Sequence, residues 1–173
     1  ILSKDGKYVV IIADYNNKGN IHIQDLFSGK TIYKFDDADT VLCIDYAHDK
    51  EWVALGYAYK GKNHIDVIDV TTGEIKWKTE TEKNIFEITF SSNGNSIAIL
   101  CNQGSVYMAD LNKPPSDKVL LKTDSDLINR TGIFTDNDKA FISIALGTRL
   151  MELTKYTKDA EWQKKNSNSI ELD

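Results

Sequence analysis

The sequence predicts an all-β protein assembled from repeated units of four antiparallel strands. The first observation behind this prediction is a turn that recurs at a step of 44 residues, at Gly6, Lys50, Gly94 and Asp138. The second is an apolar residue before each turn that keeps the same step, at Leu2, Tyr46, Phe90 and Phe134. No segment shows the apolar period of a helix, so we expect almost no helix. A fixed period of this length is the signature of a repeat architecture.

The second repeat shows the strand pattern most clearly. Its four predicted strands are Val41–Tyr46, Trp52–Tyr57, His64–Asp69 and Glu74–Thr79. The first strand is almost continuously apolar, which predicts an inner strand buried on both faces. The third alternates, with Ile65 and Val67 on one side. Turn residues at Asp49-Lys50, Gly61 and Thr72-Gly73 separate the strands.

Four short strands in each period are typical of a β-propeller blade. The chain is therefore predicted to be a β-propeller segment of about four four-stranded blades, at roughly residues 1–40, 41–84, 85–127 and 128–173. The first repeat keeps only Ile1–Ser3 of its inner strand. Either Ile170–Leu172 supplies the missing strand and closes a small ring, or further blades outside this sequence complete a larger ring. We expect the larger ring, because four blades are fewer than most propellers have.

Two further sets of residues recur in register. Asp25, Asp69 and Asp110 occupy one position of the repeat, which predicts that their carboxylates accept backbone hydrogen bonds in tight turns. Tyr33, Trp77 and Leu121 occupy another position at the 44-residue step, and Trp162 follows it with a slipped register. We expect Trp77 to be a wedge between blades. Trp52 opens a strand beside a polar turn and is expected to be half exposed.

The repeat resembles the WD-repeat family over essentially the whole chain. YAHDKEWVAL (46–55) is similar to the family's turn, and DLFSGK (25–30) and DVTTGE (69–74) are similar to its closing hairpin. The family's tryptophan is replaced by Gln24, Ile68 and Ala109, and its glycine-histidine pair is absent. VIDVTTGEIKW (67–77) also resembles the quinoprotein-like propeller repeat, in which a tryptophan docks between blades. Both resemblances imply one architecture.

Composition excludes several classes of partner. The 173 residues carry a formal net charge of -5, which disfavours nucleic acid and anionic lipid. No apolar run is long enough for a membrane span. Cys43 and Cys101 are too few for a disulfide framework and lie in apolar strands, so we expect buried thiols and a cytoplasmic protein.

No residue set predicts catalysis, a metal or a cofactor. Residues 56–63 have the GxxxxGK spacing of a phosphate-binding loop, but a strand rather than a helix follows. His22 and His64 fall in the third strands of different blades and His48 falls in a turn, so we do not expect them to converge on a metal. The oxygen-rich segments 14–17, 124–126 and 136–138 are interpreted as solvated turns. The sequence thus predicts a protein that is not an enzyme.

The surface residues that we single out for partner binding are Tyr57, Tyr59 and Lys60, predicted to lie in a long hairpin of the second blade. Exposed aromatic residues on propeller loops are good contact anchors, although Tyr57 or Tyr59 could equally pack between blades. The predicted function is a protein–protein interaction scaffold or sensor module. The alternatives are a quinoprotein-like cofactor-binding or enzymatic propeller, and the sensor half of a larger regulatory protein.

Overall fold

A computed structural model of the chain describes residues 1–15, 18–47, 49–122, 128–135, 137–146, 150–158 and 162–171. These residues form four antiparallel sheets, and the one helical element among them is a short 3-10 turn at Pro115–Asp117. The prediction of a nearly all-β protein is confirmed. The described residues contain no helix of the length and hydropathy that a membrane span needs. The chain divides into two compact units, Ile1–Glu82 and Lys83–Asp173, and each contains two sheets.

The described residues of the first unit form seven strands. They are β1 (Tyr8–Tyr15), β2 (Lys18–Asp25), β3 (Thr31–Ala38), β4 (Thr40–Ala47), β5 (Trp52–Tyr59), β6 (Lys62–Asp69) and β7 (Ile75–Thr81). The first sheet has the order β1-β2-β3, and the second has the order β4-β5-β6-β7. At the place of a fourth strand in the first sheet, the described residues form a single antiparallel bridge, between Leu2 and Val9. This agrees with the truncated inner strand expected at Ile1–Ser3.

The second unit contains two complete four-stranded sheets. The strands are β8 (Ile85–Phe90), β9 (Ser96–Cys101), β10 (Ser105–Asp110), β11 (Val119–Lys122), β12 (Ile128–Thr135), β13 (Ala140–Leu146), β14 (Leu150–Lys158) and β15 (Trp162–Glu171). Each sheet keeps the order of its strands in the chain. Ile170 pairs with Met151 inside the fourth sheet. It is therefore not used to complete the first sheet, so the strand-exchange alternative is not found.

A hydrophobic cluster joins the two sheets of the first unit. Ile21 and Ile23 from β2 are fully buried in it together with Leu55 from β5 and Ile68 from β6. Tyr33, in the recurring aromatic position, packs against the same cluster. Alternate residues of β2 point into this core, because successive side chains of a strand lie on opposite faces.

Burial along the second sheet differs from the expectation for its inner strand. The predicted burial of Val41–Tyr46 on both faces is wrong, because most residues of β4 are half-buried or exposed. The continuously buried strands are β5 and β6 in the middle of the sheet. An edge strand has a neighbour on only one side, whereas a middle strand is covered on both. Ile65 and Ile68 face opposite sides of β6 and both are fully buried, so both faces of this strand are covered.

The second unit has an equivalent core between its own two sheets. It contains Leu100 and Met108 from the third sheet and Phe141, Tyr156 and Trp162 from the fourth. Leu121, which repeats the position of Tyr33, is buried in this cluster as well. The recurring position therefore lies between neighbouring sheets in both units.

The recurring aspartates stabilise the tight turns, as predicted. The Oδ1 atom of Asp25 accepts backbone hydrogen bonds from Phe27 at 2.9 Å and Ser28 at 3.0 Å. Asp69 accepts the equivalent bonds from Thr71 at 2.9 Å and Thr72 at 3.2 Å. Asp110 accepts one from the backbone of Asn112 at 3.0 Å. Gly29 and Gly73 close the first two turns with φ angles of 69° and 77°, which glycine adopts without strain.

The turns that set the 44-residue step are also built alike. Ser3 and Ser91 each accept a backbone hydrogen bond across the turn, from Tyr8 at 2.8 Å and from Ser96 at 2.9 Å. Gly6, Gly94 and Asp138 all have positive φ, while the second repeat places this conformation one residue late, at Glu51. The same local hydrogen bonding therefore explains why serine, aspartate and glycine recur at these positions.

The two cysteines, and the two tryptophans of the first unit, differ in how deeply they are buried. Cys101 is buried, Cys43 is half-buried and neither forms a disulfide. Burial raises the pKa of the Cys101 thiol to about 12, which keeps it protonated at neutral pH. Trp77 is buried on the face of its sheet opposite Ile68, since it pairs directly with Val67. Trp52 is half-buried, with the Lys50 ammonium 5.3 Å from its ring centroid.

Replacing the two tryptophans with alanine should rank them by burial. Trp77→Ala is expected to lower the free energy of unfolding by about 3–5 kcal/mol, the usual loss for a buried aromatic side chain. Trp52→Ala should cost less, because part of its ring is already in water. Urea midpoints of the two variants measure the difference. A larger loss for Trp52→Ala would contradict the register of the second sheet.

Replacing Asp69 with alanine should destabilise the protein in a pH-dependent manner. The variant loses an acceptor of several hydrogen bonds, and the expected cost is about 1–3 kcal/mol. Burial by itself would raise the pKa of Asp69, but hydrogen bonds from Thr71 and Thr72 outweigh it and hold this pKa below its usual value. The stabilisation is therefore complete above the unfolded pKa of about 3.9 and is lost as the pH falls through the folded pKa.

Urea unfolding at several pH values tests this prediction, with Asp37→Ala as the control. Asp37 forms an exposed ion pair with Lys18, and such a pair contributes little to stability because water and salt screen it. The difference between wild type and the Asp69 variant should shrink below about pH 4. A difference that stays constant from neutral pH to about pH 2 would show that the carboxylate charge is not what stabilises the turn.

Candidate functional site

The hairpin that carries Tyr59 and Lys60 is tighter than the sequence suggested. β5 ends at Tyr59 and β6 begins at Lys62, so the loop is only Lys60 and Gly61. These residues have φ angles of 51° and 76°, the left-handed backbone that two-residue hairpin turns require. The prediction of a long hairpin loop is therefore wrong. The GxxxxGK segment 56–63 forms this hairpin and not a phosphate-binding loop followed by a helix.

Tyr57 is part of the core and is not a surface anchor. Its side chain is only 3% exposed, so its ring is not available to a partner. The ring stacks on His64 with 5.3 Å between centroids and packs against Phe35 at 5.2 Å. Its hydroxyl donates a hydrogen bond to Oδ2 of Asp66 at 2.9 Å. The alternative interpretation, in which this tyrosine packs between sheets, is the one that the structure supports.

Tyr59 and Lys60 are at the surface. Tyr59 is half-buried, and its ring is held by Phe35 in an edge-to-face contact at 5.4 Å and by His64 at 5.9 Å. Lys60 is exposed, and its ammonium lies 4.8 Å from the centroid of the Tyr59 ring. The structure thus brings an anchored aromatic ring and a lysine together at the tip of the hairpin.

A buried charged group supports this tip from below. The side chain of Asp66 is 1% exposed, and the ammonium of Lys78 lies 3.3 Å from each of its carboxylate oxygens. With the Tyr57 hydroxyl bound as well, the buried charge has partners, as a charge removed from water requires. Burial raises the pKa of Tyr33 to about 12, and the negative charge of Asp66 adds to this effect. Tyr33 therefore stays neutral beside the carboxylate.

His64 connects the buried group to the hairpin turn. Its Nε2 lies 3.3 Å from the carbonyl oxygen of Tyr59, and its Nδ1 lies 3.5 Å from Oε1 of Glu80. The carbonyl can only accept, so Nε2 is the donor in this contact. The imidazole is thereby fixed between strands, and the arrangement positions the hairpin.

Ion pairs surround the hairpin tip. Lys62 pairs with Glu80 at 2.7 Å, and Lys18 pairs with Asp37 at 2.8 Å. His22 and Lys34 each lie 2.6 Å from the carboxylate of Asp36. We define the hairpin face as Tyr59, Lys60 and Lys62 with Phe35 and Glu80 behind them. An aromatic centre with a charged rim is the usual anatomy of a protein contact surface.

The other polar sites considered from the sequence do not assemble. No group of three metal-ligating side chains occurs among the described residues, and His48 lies outside them. Asp138 is engaged by Ser92, whose backbone and hydroxyl bind its Oδ1 at 2.8 and 2.7 Å, and by the Asn93 backbone at 3.1 Å. Segments 16–17 and 124–126 lie outside the described residues, as does Asp136.

Sequence reasoning missed the residues that hold the tip in place. Asp66 and Lys78 come from β6 and β7 of the second repeat, whereas Phe35 comes from β3 of the first. The pattern of a single repeat therefore does not show that these three residues lie together. A signal was present for one of them, since Asp66 is a charged residue between the apolar residues Ile65 and Val67. Such a residue requires a buried partner or a solvent-exposed face.

Comparison with known proteins identifies the fold. No sequence-family profile matches the chain, and no curated protein matches it in sequence. The β-propeller domain of Myceliophteria thermophila Cps50 (Swd1) matches with a TM-score of 0.72 at 10% identity, over 99% of this chain and 54% of that one. The chain has the β-propeller fold. Its sheets are therefore propeller blades, as the repeat predicted.

Two other solved structures match equally well. Kuenenia stuttgartiensis hydrazine synthase gives a TM-score of 0.71 at 13% identity, over 98% of this chain and 48% of that one. The Dos1 propeller gives a TM-score of 0.71 at 14% identity, over 92% of this chain and 42% of that one. The chain thus spans about half the length of each of these three structures.

Removing a single hydroxyl group tests the buried support. Tyr57→Phe should lower the free energy of unfolding by about 1–3 kcal/mol, because buried Asp66 loses one of its hydrogen bonds. Tyr59→Phe is the matched control and should cost less, since its ring remains and its neighbourhood is open to water. Chemical denaturation of both variants gives the comparison. Equal losses would mean that Asp66 does not depend on Tyr57.

Proposed function

We propose that the protein is a protein-binding scaffold or sensor module and that the hairpin face is one of its contact surfaces. The observation that carries this proposal is the Tyr59 ring, which is partly exposed yet held on two sides by Phe35 and His64. A rigid aromatic side chain loses little conformational entropy on binding, and tyrosine is enriched among residues that dominate binding energy. The proposal involves no catalysis and no cofactor.

Charge supports a protein partner over a nucleic acid. The net charge is -5, so the chain repels a phosphate backbone, whereas a protein surface can match the mixed charges of the rim. The cytoplasmic location expected from the cysteines remains a prediction.

Substitutions at the hairpin tip test this proposal. Tyr59→Ser and Lys60→Glu should each weaken capture of a specific partner by about tenfold, equivalent to about 1.4 kcal/mol. Partners can be recovered by affinity purification of the tagged chain and identified by quantitative mass spectrometry. Phe27→Ser is the control, because Phe27 is 83% exposed in the β2–β3 turn and lies outside the hairpin face. Unchanged capture by both hairpin variants would refute this surface.

An enzymatic or cofactor-binding propeller of the quinoprotein-like kind is the second proposal. It is supported by Trp77 and Trp162, which are both buried in strands as that repeat requires. One of the matching solved structures is a hydrazine synthase, so an enzyme shares this fold.

A thermal shift separates the second proposal from the first. With Ca²⁺ and pyrroloquinoline quinone at about 100 times the dissociation constant, a bound cofactor adds about 2.7 kcal/mol of stability. The unfolding temperature should then rise by several degrees. Ca²⁺ alone and the quinone alone are the controls, and no shift with the pair would favour the binding module.

The third proposal is that the chain is the sensor part of a larger regulatory protein. This chain covers 42% to 54% of the matching structures, which supports a longer protein, and the proposal adds a signalling domain to that protein. The full-length coding sequence tests it, since a signalling or nucleotide-hydrolysing domain should be encoded beside the propeller. A coding sequence that holds only propeller blades would contradict it.

A further inference from the structure

Three blades carry the same irregularity in their innermost strand. The register of β4 skips Leu42 between Val41 and Cys43, that of β8 skips Phe86, and that of β12 skips Arg130. In each case this strand has one residue more than its partner strand between two paired positions. Such an extra, unpaired residue is a β-bulge. The three bulged residues are separated by 44 positions each. Bulges redirect a side chain and are common next to binding sites.

The bulges turn their side chains to the solvent. Leu42 and Phe86 are both 36% exposed, and Arg130 is exposed. An inner-strand leucine or phenylalanine on the regular ladder would instead point to a neighbouring blade. The repeat therefore presents a different residue at one structural position of successive blades, which is how repeat proteins vary a binding surface on a constant frame.

Phe86 and Arg130 meet in the second unit. The guanidinium carbon of Arg130 lies 5.5 Å from the centroid of the Phe86 ring. A cation over an aromatic face is attracted by the ring, and this contact orders the long arginine side chain. Among the described residues, no carboxylate lies within ion-pair distance of Arg130. Its planar set of N–H donors matches the two oxygens of a carboxylate.

The residues that follow the two bulged positions fix the distance between them. Thr131 donates a hydrogen bond through Oγ1 to Oε1 of Glu87 at 3.2 Å. Thr89 donates to the same oxygen at 3.1 Å, and its hydroxyl also lies 3.5 Å from the carbonyl of Gly132. Glu87 is therefore held by two hydroxyls and links the two strands. A site fixed in this manner loses little free energy to ordering when a ligand binds.

We propose that Phe86 and Arg130 form a binding site for a carboxylate side chain of an acidic peptide segment. Arginine binds carboxylates through two parallel hydrogen bonds, and the ring beside it offers an apolar surface to the residue next to the acid. The site is a local cation on a chain of net charge -5, so it selects a single acidic group while the rest of the surface repels polyanions. It lies in the other unit from the hairpin face and does not depend on that proposal.

Nuclear magnetic resonance on the 173-residue chain tests the site with two matched peptides. The probes are acetyl-Leu-Glu-Leu-Glu-amide and acetyl-Leu-Gln-Leu-Gln-amide, which differ only in the acid. The Glu peptide should shift the Arg130 Nε–Hε signal and the Phe86 ring signals saturably. The Gln peptide should bind about tenfold more weakly, because it lacks the charged acceptor. Raised salt should weaken binding of the Glu peptide, because salt screens the exposed charges on the site and on the peptide.

Variants assign the binding to the two residues. Arg130→Gln should lower the affinity for the Glu peptide about tenfold, and Phe86→Leu should lower it about threefold. Arg130→Lys should have an intermediate effect, because lysine keeps the charge but not the planar set of donors. Lys113→Gln is the control, because it removes one positive charge from an exposed residue of the same unit. Dispersed backbone spectra establish that each variant is folded.

Three outcomes would overturn the proposal. The first is equal binding of the Glu and Gln peptides. The second is unchanged binding by folded Arg130→Gln, and the third is an equal loss in Lys113→Gln, which would indicate a general charge effect. Inorganic phosphate that binds as tightly as the Glu peptide would also contradict it, by showing an unselective anion site. None of these results bears on partner capture by the hairpin face.

Discussion

Burial of one sheet face against the next is the interaction on which this propeller depends. In the first unit Ile21 and Ile68 come from different sheets and share one core, and in the second unit Leu100 and Phe141 do the same. A four-stranded sheet has two faces and cannot cover them alone, so its stability comes largely from its neighbours. Tyr33 of the first repeat and Leu121 of the third occupy the same recurring position, and both lie in these contacts.

The turns make this stacking repeatable. Carboxylates of Asp25 and Asp69 accept the same backbone hydrogen bonds, and the hydroxyls of Ser3 and Ser91 accept theirs. Each bond satisfies a backbone group that the reversal of the chain would leave unpaired. Turns of similar geometry reverse the chain at the same position of successive repeats, so that apolar residues such as Tyr33 and Leu121 reach equivalent cores.

The two candidate surfaces use this frame in different ways. The Tyr59 ring is held by Phe35 from β3 and by His64 from β6. Phe86 and Arg130 are exposed because a bulge removes them from the ladder. In both places the packed sheets provide rigidity, and the side chains reach the surface at a hairpin turn in one place and at β-bulges in the other. Function of this kind depends on the surface residues and not on the fold, which many unrelated proteins share.

The architecture was predictable from the sequence because its causes are local and repeated. Turn residues such as Asp69 and Gly73 act within a few residues of themselves, and alternation in a strand such as β2 reports one buried face, so both leave a periodic trace. The burial of Tyr57 and the shortness of the Lys60-Gly61 turn were not predictable in this way. Tyr57 is buried because Phe35 arrives from another sheet and Asp66 from the adjacent strand. The meeting of Phe86 with Arg130 likewise requires two blades to be placed side by side. Contacts between residues distant in the chain depend on how sheets stack, and no spacing within a single repeat records that.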